Sequence, residues 1–223
     1  MLILAIDTSA VASAALVSDD ALEGVVASFS TEDTRSHAEV LAPEIQQLLL
    51  EASVGGADID ALVVGVGPGP FTGLRSGIAT ARTLSFVWGK PLYGLMSLDA
   101  VALEVAESTA AAPEFLVVTD ARRKEVYWAR YSLTEGQLPV LEDGPHVSFA
   151  ADLPDLPAYG AGAGLYADAL KADPEFALEQ PDALYLGQFA LARLAAGGKL
   201  LDSTPLYLRE SDAQVPGPRK RAL

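Results

Sequence analysis

The fold is decided by two short stretches that open the two halves of the chain, MLILAID at residues 1–7 and FLVVTD at residues 115–120. Each is a largely apolar run that ends on an aspartate, Asp7 or Asp120. Such a run is typical of a buried strand that stops in a polar turn. Because both halves open in the same way, the sequence predicts two similar α/β lobes.

The residues that follow each opening stretch predict a repeated order of elements. In the first half, the order is three strands, a helix, a strand, a helix and a short closing strand, with expected bounds of 1–6, 12–17, 24–30, 37–52, 61–66, 72–88 and 92–95. A capping box of Ser36 and Glu39 is expected to open the first of these helices. The second half is expected to contain strands at 115–119, 126–131, 137–141 and 158–160, and helices at 165–172 and 185–196.

The length of 223 residues suits one large domain or two small lobes. We expect an N-terminal lobe at 1–97. The second unit, at 98–223, would hold a connector helix at 98–107 and the C-terminal lobe. An alternative within this division is that the last residues of the chain pack back on the first lobe.

Composition excludes several classes of function. The chain has no cysteine, which removes disulfides, thiolate catalysis and zinc–thiolate sites and fits a reducing cytoplasm. The formal net charge of −15 disfavours autonomous binding of nucleic acid, although Arg219, Lys220 and Arg221 form a basic run that is expected to be a solvated tail. The apolar opening is too short to span a membrane. The sequence therefore predicts a soluble, cytoplasmic protein with no membrane partner.

The loop GPGPFTGLR at residues 67–75 lies between a predicted strand and a predicted helix, where backbone amides can hold an anion. It lacks the lysine of a P-loop, and its glycine spacing differs from the dinucleotide fingerprint. The alternative is a rigid turn in which Phe71 packs into the core and Thr72 caps the helix. The residues of the possible nucleotide or anion site are Asp7, Thr8, Ser9, Gly67, Gly69, Thr72, Gly73, Arg75 and Asp120.

No residue pattern predicts catalysis or a metal site on this chain. The only histidines are His37 and His146, and a helical two-histidine site would need a second histidine at position 41. No serine lies in the G-x-S-x-G turn of a serine hydrolase.

The two predicted helices of the first half carry faces suited to close packing. The second helix has Gly77, Ala81 and Ser85 at intervals of four, so that another backbone can approach. These faces predict either a partner surface or internal packing. The residues of the predicted partner surface are His37, Leu41, Glu44, Ile45, Leu48, Leu74, Gly77, Ile78, Ala81, Arg82 and Ser85.

Several motifs together resemble the TsaB (YeaZ) family along essentially the whole chain. They are IDTS at 6–9, SHAE at 36–39, the loop at 67–75, DAR at 120–122 with EVY at 125–127, and Pro205 with YLR at 207–209. The resemblance implies a two-lobed actin-like ATPase fold (ASKHA), with a duplicated RNase H-like βββαβα unit. It also implies a role in making threonylcarbamoyladenosine beside the anticodon of tRNA.

In that family the chemistry belongs to a catalytic paralogue, TsaD, which a TsaB-like subunit pairs with and activates, and an ATPase, TsaE, is the third component. The resemblance implies that this chain is a non-catalytic subunit and that the two helices form the contact with the paralogue or, when alone, with a second copy. It implies no tightly bound cofactor on this chain, ATP with magnesium and iron or zinc on the partner subunits, and tRNA binding only through the complex. The alternatives are an ATP-dependent kinase or ATPase of the same fold, or a peptidase.

Overall fold

The computed structural model describes residues 1–20, 24–31, 37–108, 111–134 and 136–209. Within the first half, the elements are β1 (Leu2–Asp7), β2 (Ser13–Ser18), β3 (Val25–Ser30), α1 (His37–Glu51), β4 (Ala61–Gly65), α2 (Phe71–Trp88), β5 (Leu92–Leu95) and α3 (Ser97–Glu107). The second half contains β6 (Glu114–Asp120), β7 (Glu125–Ser132), β8 (Val140–Phe149), a 3-10 turn (Ala150–Asp152), β9 (Pro157–Tyr159), α4 (Ala161–Leu165), β10 (Lys171–Ala172) and α5 (Ala183–Ala195).

The two halves build sheets of the same topology. The first sheet has the order β3-β2-β1-β4-β5, and the second has the corresponding order β8-β7-β6-β9-β10. In each sheet the opening strand pairs antiparallel with the next strand and parallel with the fourth strand of its half. The predicted duplication is therefore present, with one difference: the position of α1 is taken in the second half by the 3-10 turn.

Two elements of the second half differ from the predictions. The predicted strand at 137–141 is instead β8, which begins at Val140 and continues through Pro145 to Phe149. A proline is tolerated there because β8 is an edge strand and its ladder with β7 is irregular beside Gly144.

The helix predicted at 165–172 is wrong. The helix α4 lies earlier, at Ala161–Leu165, and residues 171–172 form β10. The glycines at 160, 162 and 164 allow this helix to lie against backbone. A Cβ on Gly162 would lie 2.6 Å from the carbonyl carbon of Thr119. Close packing, rather than helix propensity, thus decides the position of α4.

Each half contributes a helix to the other half's sheet. The helices α1 and α2 cover one face of the first sheet, while α5 covers its opposite face through Leu186 and Phe189. The connector α3 packs on the second sheet, where Leu98 and Val101 belong to the same buried cluster as the strand residue Phe115. The helices α3 and α5 also contact each other, so helices that cover different sheets pack together.

A segment at residues 201–209, which we call the C-terminal strap, crosses between the lobes. Leu201 exchanges two backbone hydrogen bonds with Gly94 of β5, at 2.8 and 2.9 Å. Leu206 then donates to the carbonyl of Val66 at 2.8 Å, and the Arg209 guanidinium donates to the carbonyl of Ala121 at 2.8 Å. The strap therefore joins the sheet edge and loop of the first lobe to the β6–β7 turn of the second.

Candidate functional site

Asp7, at the end of β1, is the centre of a closed hydrogen-bond cluster. Its Oδ1 accepts hydrogen bonds from the backbone N–H and the hydroxyl of Ser9, at 2.7 and 2.6 Å. Its Oδ2 accepts one from the hydroxyl of Ser97, at 2.6 Å. The side chain has no exposed surface, and burial raises the pKa of Asp7 to about 6. Both carboxylate oxygens are therefore used inside the chain.

The glycine loop packs directly on this cluster. The Thr8 hydroxyl donates to the carbonyl of Gly73 at 2.8 Å, and a Cβ on Gly69 would lie 2.7 Å from the carbonyl oxygen of Ser9. The carbonyl of Gly67 accepts the backbone N–H of Ser97 at 2.8 Å. The loop is thus held against the end of β1 and the start of α3.

The start of α2 is covered by the C-terminal strap. The rings of Phe71 and Tyr207 lie 4.8 Å apart, and the Arg75 guanidinium carbon lies 3.5 Å above the Phe71 ring centre. Arg75 Nε also donates to the Tyr207 hydroxyl at 3.3 Å. Phe71 is 40% exposed rather than buried in the core. Pro70 is the N-cap residue of α2 and no side chain caps it, so the predicted cap at Thr72 is wrong.

Asp120 belongs to a different cluster from Asp7. Its Oδ1 accepts the backbone N–H of Arg122 at 2.8 Å, and its Oδ2 lies 3.3 Å from the Arg122 guanidinium. Asp120 is partly exposed whereas Asp7 is fully buried. A nucleotide site that uses both aspartates does not fit this arrangement, because they lie in separate clusters and both oxygens of the fully buried Asp7 already accept hydrogen bonds.

The residues predicted to face a partner are mostly in the core. Seven of them are buried against the first sheet: Leu41, Ile45, Leu48, Leu74, Gly77, Ile78 and Ala81. The prediction was wrong for these residues because an apolar stripe at intervals of three and four marks the face that a helix turns toward its own sheet. Internal packing, the alternative, is what the structure shows for them.

The other predicted partner residues lie nearer the surface. Glu44 is exposed, and Arg82 is exposed but donates to the Ser203 hydroxyl at 3.0 Å and the Ser203 carbonyl at 2.8 Å. Ser85 is half-buried and donates to the carbonyl of Lys90 at 2.7 Å. The His37 side chain lies outside the described residues, as does Ser36 of the expected capping box.

Three apolar side chains that were not among the predicted site residues are strongly exposed on α1 and α2. Leu50, Phe86 and Val87 are 65%, 88% and 66% exposed. Both helices connect parallel strands of the first sheet, so they run in the same direction and these residues lie at the same end. We call Leu50, Phe86 and Val87 the outer helix patch. The sequence signal of such a patch is an apolar residue that falls outside the inward-facing stripe of its helix. Leu50, two positions after Leu48, and Phe86, one position after Ser85, are such residues.

Neither a membrane span nor a metal cluster is found among the described residues. None of the helices in the described ranges is long and apolar enough to cross a membrane. In the same ranges, no three side chains of His, Asp or Glu come together in a way that could hold a metal ion.

Comparison with known proteins identifies relatives over most of the chain. A family model described as "TsaD: tRNA N6-adenosine threonylcarbamoyltransferase" matches residues 23–180. The chain is 44% identical over 185 residues to an uncharacterized protein of Mycobacterium tuberculosis, across 82% of this chain and 80% of that protein. It is 36% identical over 135 residues to the Escherichia coli tRNA threonylcarbamoyladenosine biosynthesis protein TsaB, across 60% of this chain and 57% of that protein.

A solved structure agrees with these relatives. YeaZ from Pseudomonas aeruginosa matches with a TM-score of 0.76 at 28% identity, over 93% of this chain and 99% of that chain. The match, together with the two sheets of equal topology, confirms the predicted two-lobed actin-like α/β fold. Given the family model, the TsaB-named relatives and this structure, the chain belongs to the TsaB (YeaZ) family.

Proposed function

We propose that this chain is a non-catalytic subunit in the formation of threonylcarbamoyladenosine in tRNA. It pairs with a TsaD-like catalytic paralogue and activates it, and a TsaE-like ATPase completes the complex. The names of the curated relatives support the pathway, since proteins of Escherichia coli and Bacillus subtilis that resemble this chain are called tRNA threonylcarbamoyladenosine biosynthesis protein TsaB.

The observation that carries the pairing proposal is the outer helix patch. Leu50, Phe86 and Val87 leave large apolar surfaces in water on helices whose opposite faces are already packed. Large apolar side chains that are exposed near the same end of two neighbouring helices are typical of protein–protein contacts. We propose that these residues, rather than the buried stripe, contact the catalytic paralogue, or a second copy of this chain when the paralogue is absent.

The Asp7 cluster supports an accessory role. If the chain were a kinase or an ATPase, Asp7 would be expected to help hold a magnesium-bound nucleotide. Its carboxylate instead accepts three hydrogen bonds from Ser9 and Ser97 and is fully buried. We therefore propose that Asp7 has a structural role and ties the end of β1 to the start of α3. ATP with magnesium, and iron or zinc, would belong to the partner subunits, and tRNA would bind only through the complex.

Reconstitution tests this function. Transfer of the threonylcarbamoyl group to tRNA is measured with the host's catalytic paralogue and ATPase, with and without this chain. We expect transfer that requires this chain and none from this chain alone. Equal transfer in its absence would contradict the proposal, and so would release of peptide products or hydrolysis of ATP by the isolated chain.

A further inference from the structure

The turn between β6 and β7 has a backbone conformation that its residues disfavour. Arg122, Arg123 and Lys124 have φ angles of 63°, 56° and 66°, in the left-handed region where a Cβ crowds the backbone. Glycine is the residue that adopts this region without strain. The chain places three successive long cationic side chains there instead. Strain retained in this way is characteristic of sites where side-chain placement has a function.

The turn is held from within and from the C-terminal strap. The Arg122 N–H donates to Asp120 Oδ1 at 2.8 Å. Across the turn, the Ala121 N–H donates to the Glu125 carbonyl at 3.0 Å, and the Glu125 N–H donates to the Arg122 carbonyl at 3.0 Å. Arg209 donates to the Ala121 carbonyl at 2.8 Å and forms an ion pair with Glu125. The last residue of the strap therefore braces the turn.

The turn is a basic surface on an acidic chain. Arg122, Arg123 and Lys124 are all exposed, and the Arg122 side chain is 71% exposed, whereas the chain as a whole carries a formal charge of −15. The two carboxylates of the turn are already engaged, Asp120 by Arg122 and Glu125 by Arg209. Asp120 offsets part of the Arg122 charge, but the turn together with Arg209 holds four cations against these two carboxylates, so its net charge stays positive.

We propose that the β6–β7 turn, residues 121–125, contacts phosphate groups of the tRNA backbone when this chain is part of the transferase complex. Arg122 and Lys124 bind the phosphates, and Arg209 is a positioning residue that holds the turn. The inference rests on the proposed function. Cation–phosphate contacts add affinity without reading sequence, which suits a subunit that lies beside the reaction rather than at it.

An RNA partner fits the turn better than a lipid surface. Stable membrane attachment by a short basic segment needs a second, apolar anchor beside the charges. The apolar residue of the turn, Ala121, is buried at 3% exposure. Because the whole chain repels phosphate, the turn acts only when other subunits also bind the tRNA.

The test measures the dissociation constant of tRNA for the assembled complex over roughly 50 to 300 mM salt. The variant carries Arg122→Gln and Lys124→Gln. Its matched control carries Lys171→Gln and Lys199→Gln, which remove the same charge from two other exposed cations. We expect the turn variant to bind tRNA about tenfold more weakly, and its plot of log affinity against log salt concentration to be shallower by the equivalent of about two phosphate contacts. The affinity of the control should stay within about twofold of that of the unaltered complex.

Equal affinity and equal salt slope in the turn variant and its control would overturn the proposal. Loss of complex assembly in the turn variant, seen by size-exclusion chromatography, would also overturn it, because the turn would then be a protein contact. Failure of the unaltered chain to join the complex would instead reject the proposed function. The two failures are therefore distinguishable.

The role of Arg209 has a separate readout. Arg209→Lys keeps the charge, but an ammonium group cannot reproduce the planar fork that reaches both the Ala121 carbonyl and Glu125. We expect tRNA affinity to fall about threefold or more while the net charge of the turn is unchanged. Unchanged affinity in this variant would remove Arg209 from the proposal.

Discussion

The hydroxyl of Ser97 donates a 2.6 Å hydrogen bond to Oδ2 of Asp7, which joins the first residue of α3 to the last residue of β1. Both side chains are fully buried. The same Ser97 hydroxyl accepts a hydrogen bond from the Gly67 N–H at 3.2 Å. A carboxylate at the end of the first strand, which the sequence marks as a ligand candidate, thus serves to hold three segments of the chain together.

Replacing Asp7 tests this structural role. Asp7→Ala leaves the N–H of Ser9 and the hydroxyls of Ser9 and Ser97 without their acceptor in a buried site. We expect the free energy of unfolding to fall by about 2–4 kcal/mol, measured by urea denaturation. A variant that keeps its stability but loses affinity for magnesium-bound ATP would show that Asp7 is a nucleotide ligand after all.

Gly77 is required by a close approach between α2 and Thr8. Alanine normally stabilises a helix interior by about 1 kcal/mol relative to glycine, but a Cβ on Gly77 would overlap the Thr8 hydroxyl. We therefore expect Gly77→Ala to destabilise the chain by about 1–3 kcal/mol. The double variant Gly77→Ala with Thr8→Ala should recover part of this loss of stability. The recovery is incomplete because Thr8→Ala also removes the hydrogen bond from the Thr8 hydroxyl to the Gly73 carbonyl. Additive losses in a double-mutant cycle would refute the contact.

The ion pair between Arg209 and Glu125 connects the C-terminal strap to the second lobe. Both side chains are about three-quarters buried, so removal of one partner leaves the other charge poorly solvated. We expect Arg209→Gln to lower the free energy of unfolding by about 1–3 kcal/mol. Adding Glu125→Gln should restore part of it, and a thermal denaturation series would show the coupling. No coupling between the two sites would mean that the strap is not held here.

Glu104 on α3 is predicted to make stability depend on pH. Burial, and then the nearby carboxylate of Glu179, raise the pKa of Glu104 to about 8, with Asp182 and Glu107 adding to the effect. The folded chain therefore holds this proton more tightly than the unfolded chain, whose glutamate pKa is near 4.5. The stability that the raised pKa of Glu104 contributes is fully present below about pH 4.5 and is lost as the pH rises through about 8.

Glu104→Gln should flatten this dependence. We expect the variant to be more stable than the parent at pH 9 and to differ less at pH 5, measured by the midpoint of urea unfolding. Glu175→Gln, which removes a carboxylate from an exposed position, is the matched control. Parallel pH profiles for the parent and Glu104→Gln would show that Glu104 ionises normally in the fold.

Much of the architecture could be predicted from the sequence because apolar runs and turn residues act locally. The aliphatic run before Asp7 and the αL glycine Gly89 after α2 correspond to real boundaries. The position of α4 could not be predicted, since it depends on a backbone contact between Gly162 and β6 that is distant in sequence.

The candidate site shows the same limit. Periodicity locates the stripe that contains Leu41 and Ile45, but it does not say whether a sheet of the same chain or another protein covers that stripe. Here the first sheet covers it. Likewise, an aspartate at a strand end has the same sequence signal whether it binds a ligand or, as Asp7 does, accepts hydrogen bonds from its own chain.

The most direct test of the proposed pairing is the dissociation constant between this chain and the catalytic paralogue for Phe86→Asp. Because Phe86 is 88% exposed, the variant should fold normally, and we expect the dissociation constant to rise about tenfold or more. Phe149→Asp, the same change at a 54% exposed phenylalanine of the second lobe, should pair like the parent. Unchanged pairing by Phe86→Asp, or equal weakening by both variants, would contradict a contact through the outer helix patch.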